Sequence, residues 1–214
     1  MALIINEIFS SIQGESTFAG LPFLFVRLTG CNLRCRYCDT RYAYEEGSAW
    51  EIARILQHLN QFKCRRVTVT GGEPLLQAQT PDLITALLGQ AYIVTLETNG
   101  SLDISRVDPR CIKILDIKCP SSGMQAHNLE KNWSLLTNED QVKFVVADQI
   151  DFEFARRTTA ALPCHIRPGN VLFSPAHGLL APRLLAQWMM ETQVEGRLQI
   201  QLHKYIWPDI QRGV

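Results

Sequence analysis

Residues 23–38 read FLFVRLTGCNLRCRYC, an apolar run followed almost at once by three closely spaced cysteines. The first six residues, Phe23–Leu28, are typical of a parallel strand that is covered on both faces. Three thiolates within one short loop can converge on a single soft metal centre. The stretch therefore predicts a parallel sheet with a metal site at the end of one strand.

The same alternation of apolar runs and amphipathic segments continues along the chain. The further predicted strands are Val67–Thr70, Ile93–Thr98, Ile112–Ile117, Val142–Val146, His165–Phe173 and Leu198–Leu202. Helical spacing covers Trp50–Leu59, with Ser48 as a candidate cap, Pro81–Leu88, with Thr80 as its cap, Ile150–Thr159 and Pro182–Met190. Alternating strands and helices indicate a parallel sheet with crossover helices.

Length limits how complete that architecture is. An eight-fold barrel typically needs about 250 residues, and this chain has 214. We expect an α/β fold that is an incomplete TIM-like parallel barrel with about six strands and few helices. No linker or repeat divides the sequence, so we expect one domain over residues 1–214.

Unusual polar or glycine-rich segments follow four of the predicted strands. They are the cysteine loop, Gly71-Gly72-Glu73-Pro74, Glu97-Thr98-Asn99-Gly100 and Lys118-Cys119-Pro120. In parallel sheets the chemistry collects at the carboxyl ends of the strands. One site built from several loops is the economical interpretation.

Composition excludes several classes of protein. Lys and Arg balance Asp and Glu at 21 each, and hydrophobic residues make up 46%, so neither disorder nor a general attraction to nucleic acid is expected. No run approaches the roughly 20 apolar residues of a membrane span, and residues 1–13 do not resemble a signal peptide. Seven cysteines, an odd number, indicate reduced thiols and a cytoplasmic protein.

The cysteine spacing, C-x3-C-x2-C at Cys31, Cys35 and Cys38, leaves two kinds of metal centre open. A structural zinc ion needs four ligands, usually from two paired halves, and no second half is present. A [4Fe–4S] cluster normally takes four cysteines. Three cysteines leave one iron without a protein ligand, which makes that iron available for chemistry.

With Tyr37 as the aromatic residue before the last cysteine, this loop resembles the signature of the radical S-adenosylmethionine (SAM) superfamily, and residues 71–74 resemble its turn for the SAM amino group. Residues 7–16, 25–31, 38–40, 97–100 and 202–214 resemble the 7-carboxy-7-deazaguanine synthase family. The similarity runs from end to end, although Ser16 replaces the usual glycine and residues 119–180 match more weakly.

This resemblance implies a lyase of queuosine biosynthesis. The family contracts the ring of 6-carboxy-5,6,7,8-tetrahydropterin to 7-carboxy-7-deazaguanine with loss of ammonia. It uses a [4Fe–4S] cluster, SAM and Mg2+. A SAM-derived radical carries the chemistry, so no catalytic side chain is expected. Expected partners are the small pterin substrate and a reductant such as a flavodoxin or ferredoxin, without nucleic acid or membrane. A second copy of the chain would cover the open edge of the barrel, so we expect a homodimer.

The resemblance also implies a set of site residues. The cluster ligands are Cys31, Cys35 and Cys38, and the side-chain ligand of Mg2+ is Thr40. Expected SAM contacts are Tyr37, Cys38, Asp39, Gly71, Gly72, Glu73, Gly100, Gln141, Val142, Lys143, Ser174, Pro175, Ala176 and His177. Expected substrate contacts are Ile12, Gln13, Gly14, Arg27, Thr98 and Val214. Arg27 also stands out by itself, because an arginine within an apolar strand is costly unless it is paired.

Two other interpretations remain open from the sequence. A glycyl-radical-enzyme activase shares the cysteine loop and the small size, but acts on a protein backbone. A non-catalytic zinc or iron–sulfur module would need only the cysteines. The five histidines form no metal-ligand pattern with one another, so they do not decide between these interpretations.

Overall fold

The computed structural model describes residues 2–214, which form one sheet of nine strands. The strands are β1 (Ala2–Ile12), β2 (Pro22–Leu28), β3 (Ser48–Glu51), β4 (Arg66–Gly71), β5 (Ile93–Thr98), β6 (Ile112–Ile117), β7 (Gln141–Val146), β8 (Val171–Pro175) and β9 (Arg197–Leu198). Their order across the sheet is β3-β1-β2-β4-β5-β6-β7-β8-β9.

Strands β2 and β4 to β9 run parallel, whereas β1 is antiparallel to both β2 and β3. Among the described residues the sheet stays open, with β3 at one edge and β9 at the other. The expected incomplete parallel barrel is therefore confirmed. Strand β1 was not predicted. It pairs antiparallel with β2, and no crossover helix between the two strands marks where it ends.

Five α-helices are present within residues 2–214. They are α1 (Ile52–Leu59), α2 (Thr80–Gly89), α3 (Gln149–Ala161), α4 (Pro182–Thr192) and α5 (Leu202–Ile206). The first four bury an apolar stripe, such as Leu83, Ile84 and Leu87 on α2. Helix α3 begins at Asp148, whose carboxylate accepts a hydrogen bond from the Asp151 amide at 2.9 Å. None of these helices is both long and apolar enough to cross a lipid bilayer.

The two faces of the sheet differ in polarity, since successive side chains of a strand point to opposite sides. One face carries Val26, Val69 and Leu96, which are fully buried in the same hydrophobic core as the helix stripes. The other face carries residues such as Arg27, Thr70, Glu97, Asp116 and Lys143, which border a cavity. The expectation that β2 is apolar on both faces is therefore wrong at Arg27, because the inner face of the barrel is a polar site.

Several predicted boundaries are shifted. Ser48 does not cap a helix; it begins β3, in which Trp50 pairs with Leu3, and α1 starts only at Ile52. The strand predicted over 165–173 begins at 171, because residues 168–170 form a proline-led turn. The strand predicted over 198–202 ends at 198, and the Leu202 amide bonds to the Gly14 carbonyl at the start of α5.

Candidate functional site

A cavity of about 290 Å3 lies inside the open barrel. It is bordered by the carboxyl-terminal halves of β2 and β4 to β7, the cysteine loop, the turn after β1, the residues after β8, and α5 with Val214. Its volume is close to that of the smaller ligand pockets of proteins. The predicted convergence of several strand ends on one site is borne out by this arrangement.

Residues 30–40 and 71–74 form one side of the cavity, which we call the cluster wall. Cys31, Cys35 and Cys38 are all free, partly exposed thiols that border the cavity. Burial raises the pKa of Cys31 and of Cys35, against the Leu33 amide at Cys31 and the charge of Lys118 at Cys35. A bound metal centre is what would hold such thiols as thiolates.

The two glycines of the cluster wall allow its two segments to pack closely. A Cβ atom on Gly71 would lie 2.4 Å from the Leu28 carbonyl oxygen, and one on Gly72 would lie 2.4 Å from the Gly30 carbonyl oxygen and 2.5 Å from the Cys31 Cβ. The Glu73 amide donates to the Gly30 carbonyl at 2.8 Å. Glycine is therefore required here so that the turn after β4 can support the cysteine loop.

Glu73, an expected SAM contact, is not among the residues that border the cavity. Its side chain is fully buried, and its carboxylate accepts hydrogen bonds from the Thr98 hydroxyl, the Asn99 amide at 2.7 Å and the Leu75 amide at 3.0 Å. Burial raises its pKa, although these donors oppose the rise. Glu73 thus ties the turn after β4 to the loop after β5, which explains a carboxylate in a position without access to ligand.

The donor set fits a cluster with three protein ligands. Within residues 2–214 no three His, Cys, Asp or Glu side chains are grouped to hold a single metal ion. Cys119, which follows β6, is fully buried and does not border the cavity. It is therefore not placed to serve as a fourth ligand.

The cavity is also bordered by a second group, the charged wall, made of Glu15, Asp116, Lys118 and Lys143. Lys143 Nζ lies 2.7 Å from a Glu15 oxygen and 3.7 Å from an Asp116 oxygen, and Lys118 Nζ lies 2.9 Å from the same Asp116 oxygen. Burial opposes all four charges, but the opposite charges outweigh it. They lower the pKa of Glu15 and Asp116 and raise the pKa of Lys118 and Lys143.

Two carboxylate groups of the inner face retain unused acceptor capacity. Asp116 Oδ1 is buried and has no hydrogen-bond partner among the described residues. Glu97 accepts from the Thr70 hydroxyl at 2.8 Å, and burial raises its pKa. Buried oxygen atoms of this kind favour a ligand that brings its own N–H or O–H donors.

Arg27 projects from β2 into the cavity, with 14% of its side chain exposed. Its Nε donates to Glu7 Oε1 at 2.7 Å, and its guanidinium lies 5.9 Å from the ring centres of Phe9 and Tyr42. Burial lowers its pKa, but Tyr42 and Glu7 outweigh this and raise it. The pairing explains how the strand tolerates an arginine, and it holds the guanidinium at the cavity border.

Segments from the two ends of the chain close the cavity together. A Cβ on Gly14 would meet His203 Nδ1 at 2.1 Å, so glycine is required for this contact. Gln201 donates to Glu15 Oε1 at 2.5 Å, and Lys204 pairs with Asp39 at 3.1 Å. The structure also places His203 on the cavity border, with its pKa lowered by burial.

The residues on either side of the last cysteine are also held by hydrogen bonds. The Tyr37 hydroxyl donates to the Val145 carbonyl at 3.2 Å, and the Thr40 hydroxyl donates to Asp39 Oδ1 at 2.9 Å. All three of Tyr37, Asp39 and Thr40 border the cavity. Thr40 therefore offers a hard oxygen ligand close to the carboxylate of Asp39.

The structure brings most of the predicted site residues to this cavity. Those that border it are Ile12, Gln13, Gly14, Arg27, Cys31, Cys35, Tyr37, Cys38, Asp39, Thr40, Gly71, Gly72, Thr98, Lys143, Ala176, His177 and Val214. The predicted SAM contacts that do not border it are Glu73, Gly100, Gln141, Val142, Ser174 and Pro175.

Each of the latter residues has a structural task. Gln141 is buried and exchanges two hydrogen bonds with Thr17, at 2.9 and 2.8 Å. Val142 belongs to the apolar core, and Ser174 and Pro175 are buried within β8. Gly100 adopts a φ of +70°, and a Cβ there would meet Leu115 at 2.9 Å. These residues are therefore packed or hydrogen-bonded within the protein and do not line the cavity.

Several cavity residues received no role from the sequence. They are Glu15, Tyr44, Glu97, Asp116, Lys118, Gln201 and Lys204. The available signal was alternation: polar residues at every second position of a strand, as at Thr95 and Glu97, mark a polar inner face.

Comparison with known proteins agrees with this geometry. Residues 25–116 match the family model described as the radical SAM superfamily. A 7-carboxy-7-deazaguanine synthase from Chlorobaculum tepidum is 48% identical over 215 residues, covering 99% of this chain and 97% of its own. One from Koribacter versatilis is 38% identical, covering 98% and 99%. The crystal structure of QueE from Escherichia coli superposes with a TM-score of 0.78 at 24% identity, over 95% of each chain.

Proposed function

The chain belongs to the 7-carboxy-7-deazaguanine synthase family of the radical SAM superfamily, and from that premise we propose that it contracts 6-carboxy-5,6,7,8-tetrahydropterin to 7-carboxy-7-deazaguanine with loss of ammonia. The observation that carries this proposal is that one cavity is bordered by both the cysteine trio and the guanidinium of Arg27. The product would serve queuosine biosynthesis.

The enzyme is a radical SAM lyase and uses a [4Fe–4S] cluster and SAM. When bound and reduced, this pair supplies a radical that removes a hydrogen atom from the substrate. Cys31, Cys35 and Cys38 would hold three irons, and no cysteine among the described residues is placed to cap the fourth. The protein's own part is to exclude water and to orient SAM and substrate between the two walls.

SAM would lie along the cluster wall. The carbonyl groups of a glycine turn suit an ammonium group, because no Cβ keeps the ligand away from the backbone. Tyr37 supplies an aromatic ring beside the same wall, and burial raises the pKa of its hydroxyl, which therefore stays protonated. The residues that support SAM binding by bordering the cavity are Tyr37, Cys38, Asp39, Gly71, Gly72, Lys143, Ala176 and His177.

The pterin would lie between Arg27 and the charged wall. A guanidinium matches the fork of the substrate carboxylate, and the carboxylate oxygens of Glu97 and Asp116 suit the donor-rich edge of a pterin. Ile12, Gln13 and Gly14 would offer backbone groups, with Thr98 and Val214 completing the substrate contacts.

Thr40 is the proposed side-chain ligand of Mg2+. Magnesium keeps several waters and often takes only one or two protein ligands together with oxygen atoms of the substrate. This agrees with a described chain that groups no three carboxylate, His or Cys side chains around one ion. The hydroxyl of Thr40 borders the same cavity as Arg27, so a substrate carboxylate could bridge the two.

The remaining aspects of the proposal concern partners and location. We propose a single domain that acts as a homodimer in the cytoplasm and takes electrons from a flavodoxin or ferredoxin, without nucleic acid or membrane. The open edges at β3 and β9 and the seven unpaired cysteines support the dimer and the reducing compartment.

An anaerobic turnover assay tests this function. Protein with a reconstituted cluster should convert 6-carboxytetrahydropterin in the presence of SAM and dithionite, with the product identified by mass spectrometry and with a higher rate when Mg2+ is added. No turnover by protein with a full cluster would overturn the proposal and favour an activase that acts on a protein backbone.

A further inference from the structure

The C-terminal tail, residues 208–214, ends at the cavity. Val214 borders the cavity, and the residue before it, Gly213, has a φ of +74°. Glycine adopts this left-handed conformation without strain. The Gly213 amide donates to Glu7 Oε2 at 3.2 Å. A carboxylate on β1 therefore holds the tail next to the residue that reaches the cavity.

Glu7 accepts hydrogen bonds from three separate parts of the chain. Its Oε1 accepts from Arg27 Nε at 2.7 Å and from the Tyr42 hydroxyl at 3.0 Å, while its Oε2 accepts from the tail. Only 16% of the Glu7 side chain is exposed, and Glu7 is not among the residues that border the cavity. Glu7 therefore acts on a ligand only through the groups that it holds.

A β-bulge in β1 places Glu7 in this position. Between Ile5 and Glu7 the register of β1 against β2 shifts, so that Glu7 lies directly opposite Arg27. The extra residue is Asn6, whose side-chain amide donates to the Glu46 carbonyl at 2.8 Å. Bulges are frequent next to active sites, where they change the direction of a side chain. This bulge both pairs Glu7 with Arg27 and holds the loop that carries Glu46.

Arg212 attaches the tail to the same loop. Its Nη2 donates to Glu46 Oε2 at 2.8 Å, and its guanidinium lies 4.3 Å from the ring centre of Tyr42. The guanidinium of Arg27 lies 5.9 Å from that ring centre. Both distances are within the range of a cation–π interaction. Tyr42 therefore contacts one arginine of the cavity and one arginine of the tail.

Arg27 keeps the atoms that would bind a carboxylate. Its hydrogen bond to Glu7 uses Nε, and its two Nη atoms make no hydrogen bond within residues 2–214. A guanidinium that is held through Nε can present both Nη groups to a carboxylate as a fork. Because one carboxylate holds both the guanidinium and the tail, a movement of Glu7 that releases one also releases the other.

We propose that Glu7 is a positioning residue that couples recognition of a substrate carboxylate by Arg27 to closure of the cavity by the C-terminal tail. A carboxylate bound to the Nη atoms fixes the guanidinium and, through it, Glu7, which then holds the Gly213 amide more firmly. A pterin without a carboxylate leaves the guanidinium and the tail less restrained. The tail thus adds to the selectivity for a carboxylated pterin. This inference rests on the proposed function.

Ligand binding to unreduced holoenzyme with SAM tests the coupling without turnover. The probes are 6-carboxypterin, an oxidised analogue of the proposed substrate, and pterin, which lacks the carboxylate, with affinities from calorimetric titration. We expect the wild-type protein to prefer 6-carboxypterin and Glu7→Gln to reduce that preference by about tenfold, the value of one hydrogen bond to a charged group. The matched control, Asp108→Asn, should keep it, because Asp108 pairs with Arg110 at 2.7 Å and is 14% exposed but does not border the cavity.

A second variant tests the coupling from the tail. Arg212→Ala loosens the tail and leaves Glu7 and Arg27 in place, and half of the Arg212 side chain is exposed. Coupling between two sites acts equally in both directions. Arg212→Ala should therefore also reduce the preference for 6-carboxypterin, by about fivefold, although Arg212 does not border the cavity.

Hydrogen exchange of the tail peptide, measured by mass spectrometry, is the third measurement. In the wild-type protein 6-carboxypterin should slow exchange of residues 208–214 several-fold more than pterin does, because the Gly213 amide is held more firmly. In Glu7→Gln the tail should exchange faster without ligand, and the two pterins should protect it equally.

The results separate the coupling from the proposed function. Equal protection of the tail by the two pterins in the wild-type protein would overturn the coupling, as would an unchanged preference for 6-carboxypterin in Arg212→Ala or in folded Glu7→Gln. If the wild-type protein still converts 6-carboxytetrahydropterin in the anaerobic assay, only the coupling fails. If the coupling is observed but turnover is absent, only the proposed function fails.

Discussion

The two walls of the cavity are built in opposite ways. The cluster wall comes from two short, continuous segments, 30–40 and 71–74, and its thiols have few partners in the protein. The charged wall gathers residues 15, 116, 118 and 143 from distant parts of the chain, and its charges are paired at 2.7 to 3.7 Å. The thiols of the cluster wall therefore need a ligand as a partner, whereas the ion pairs of the charged wall contribute to the fold without a ligand.

This difference predicts what substitutions in each wall do to function and stability. Removing a group from the cluster wall should cost function and little stability, because burial of unpaired thiols adds little to the fold. Removing a group from the charged wall should cost stability as well, because its partners stay buried as uncompensated charges.

The largest expected effect is on the cluster wall. Cys31→Ala, Cys35→Ala or Cys38→Ala should each abolish cluster assembly and turnover, since a three-ligand site cannot lose a ligand. Iron content and the visible absorbance of anaerobically purified protein measure the result. Cys119→Ala is the matched control and should keep full iron content, because Cys119 lies outside the cavity. A cluster that survives any of the first three substitutions would contradict this assignment.

On the charged wall, Lys143→Met should lower the free energy of unfolding by about 3–5 kcal/mol, because Glu15 and Asp116 lose a buried partner. Urea unfolding of the apoprotein measures the change. Adding Glu15→Gln to the variant should restore part of the loss.

The matched control for this substitution is Lys113→Met. Lys113 pairs with Asp140 at 3.1 Å and is more buried than Lys143, with 3% of its side chain exposed against 12%, but it does not border the cavity. Both variants should lose stability, while only Lys143→Met should weaken SAM binding by the protein that remains folded. Equal losses of SAM affinity would show that the charged wall acts only through stability.

Arg27 borders the cavity but belongs to neither wall. Arg27→Ala should weaken pterin binding by about 10- to 100-fold, the value of one to two charge-assisted hydrogen bonds, and leave the cluster intact. Steady-state KM and iron content are the two measurements. Arg54→Ala, which removes an arginine stacked on Trp50 far from the cavity, should change neither. Unchanged KM in Arg27→Ala would remove Arg27 from the site.

The smallest expected effect is a gain in stability. Burial raises the pKa of Glu97 above its ordinary value of 4.5, so the folded state holds a proton that the unfolded state releases. Stability attributable to Glu97 is then present below pH 4.5 and declines as pH rises through the raised pKa. Glu97→Gln should remove that decline.

In urea unfolding, Glu97→Gln should make the protein more stable by about 1 kcal/mol at pH 8, with turnover reduced. Glu15→Gln is the comparison, and we expect it to lower the stability instead. Lys143 outweighs burial and lowers the pKa of Glu15, so that carboxylate stabilises the protein above pH 4.5 and the contribution is lost on acidification. If both substitutions changed the stability in the same direction, the distinction between Glu97 as a functional carboxylate and Glu15 as a structural one would be contradicted.

The contrast also explains what the sequence could predict. The cysteine loop and Gly71-Gly72 could be recognised in the sequence because their residues are adjacent along the chain. Six of the strands could be recognised as apolar runs. Glu15, Asp116 and Lys143 were not assigned to one cluster, because the register of β6 and β7 places Asp116 beside Lys143 and the segment after β1 brings Glu15 to Lys143. The burial of Glu73 was not predicted for a related reason, because it depends on Thr98 and Asn99 from another strand end.

The central claim is that three cysteines leave one iron of a [4Fe–4S] cluster free to bind SAM. The most direct measurement is electron–nuclear double resonance on the reduced cluster with SAM labelled with 17O in its carboxylate. The account predicts a clear 17O hyperfine coupling, which disappears when unlabelled SAM is used. A reduced cluster that shows no coupling to labelled SAM, with binding verified in the same sample, would contradict it.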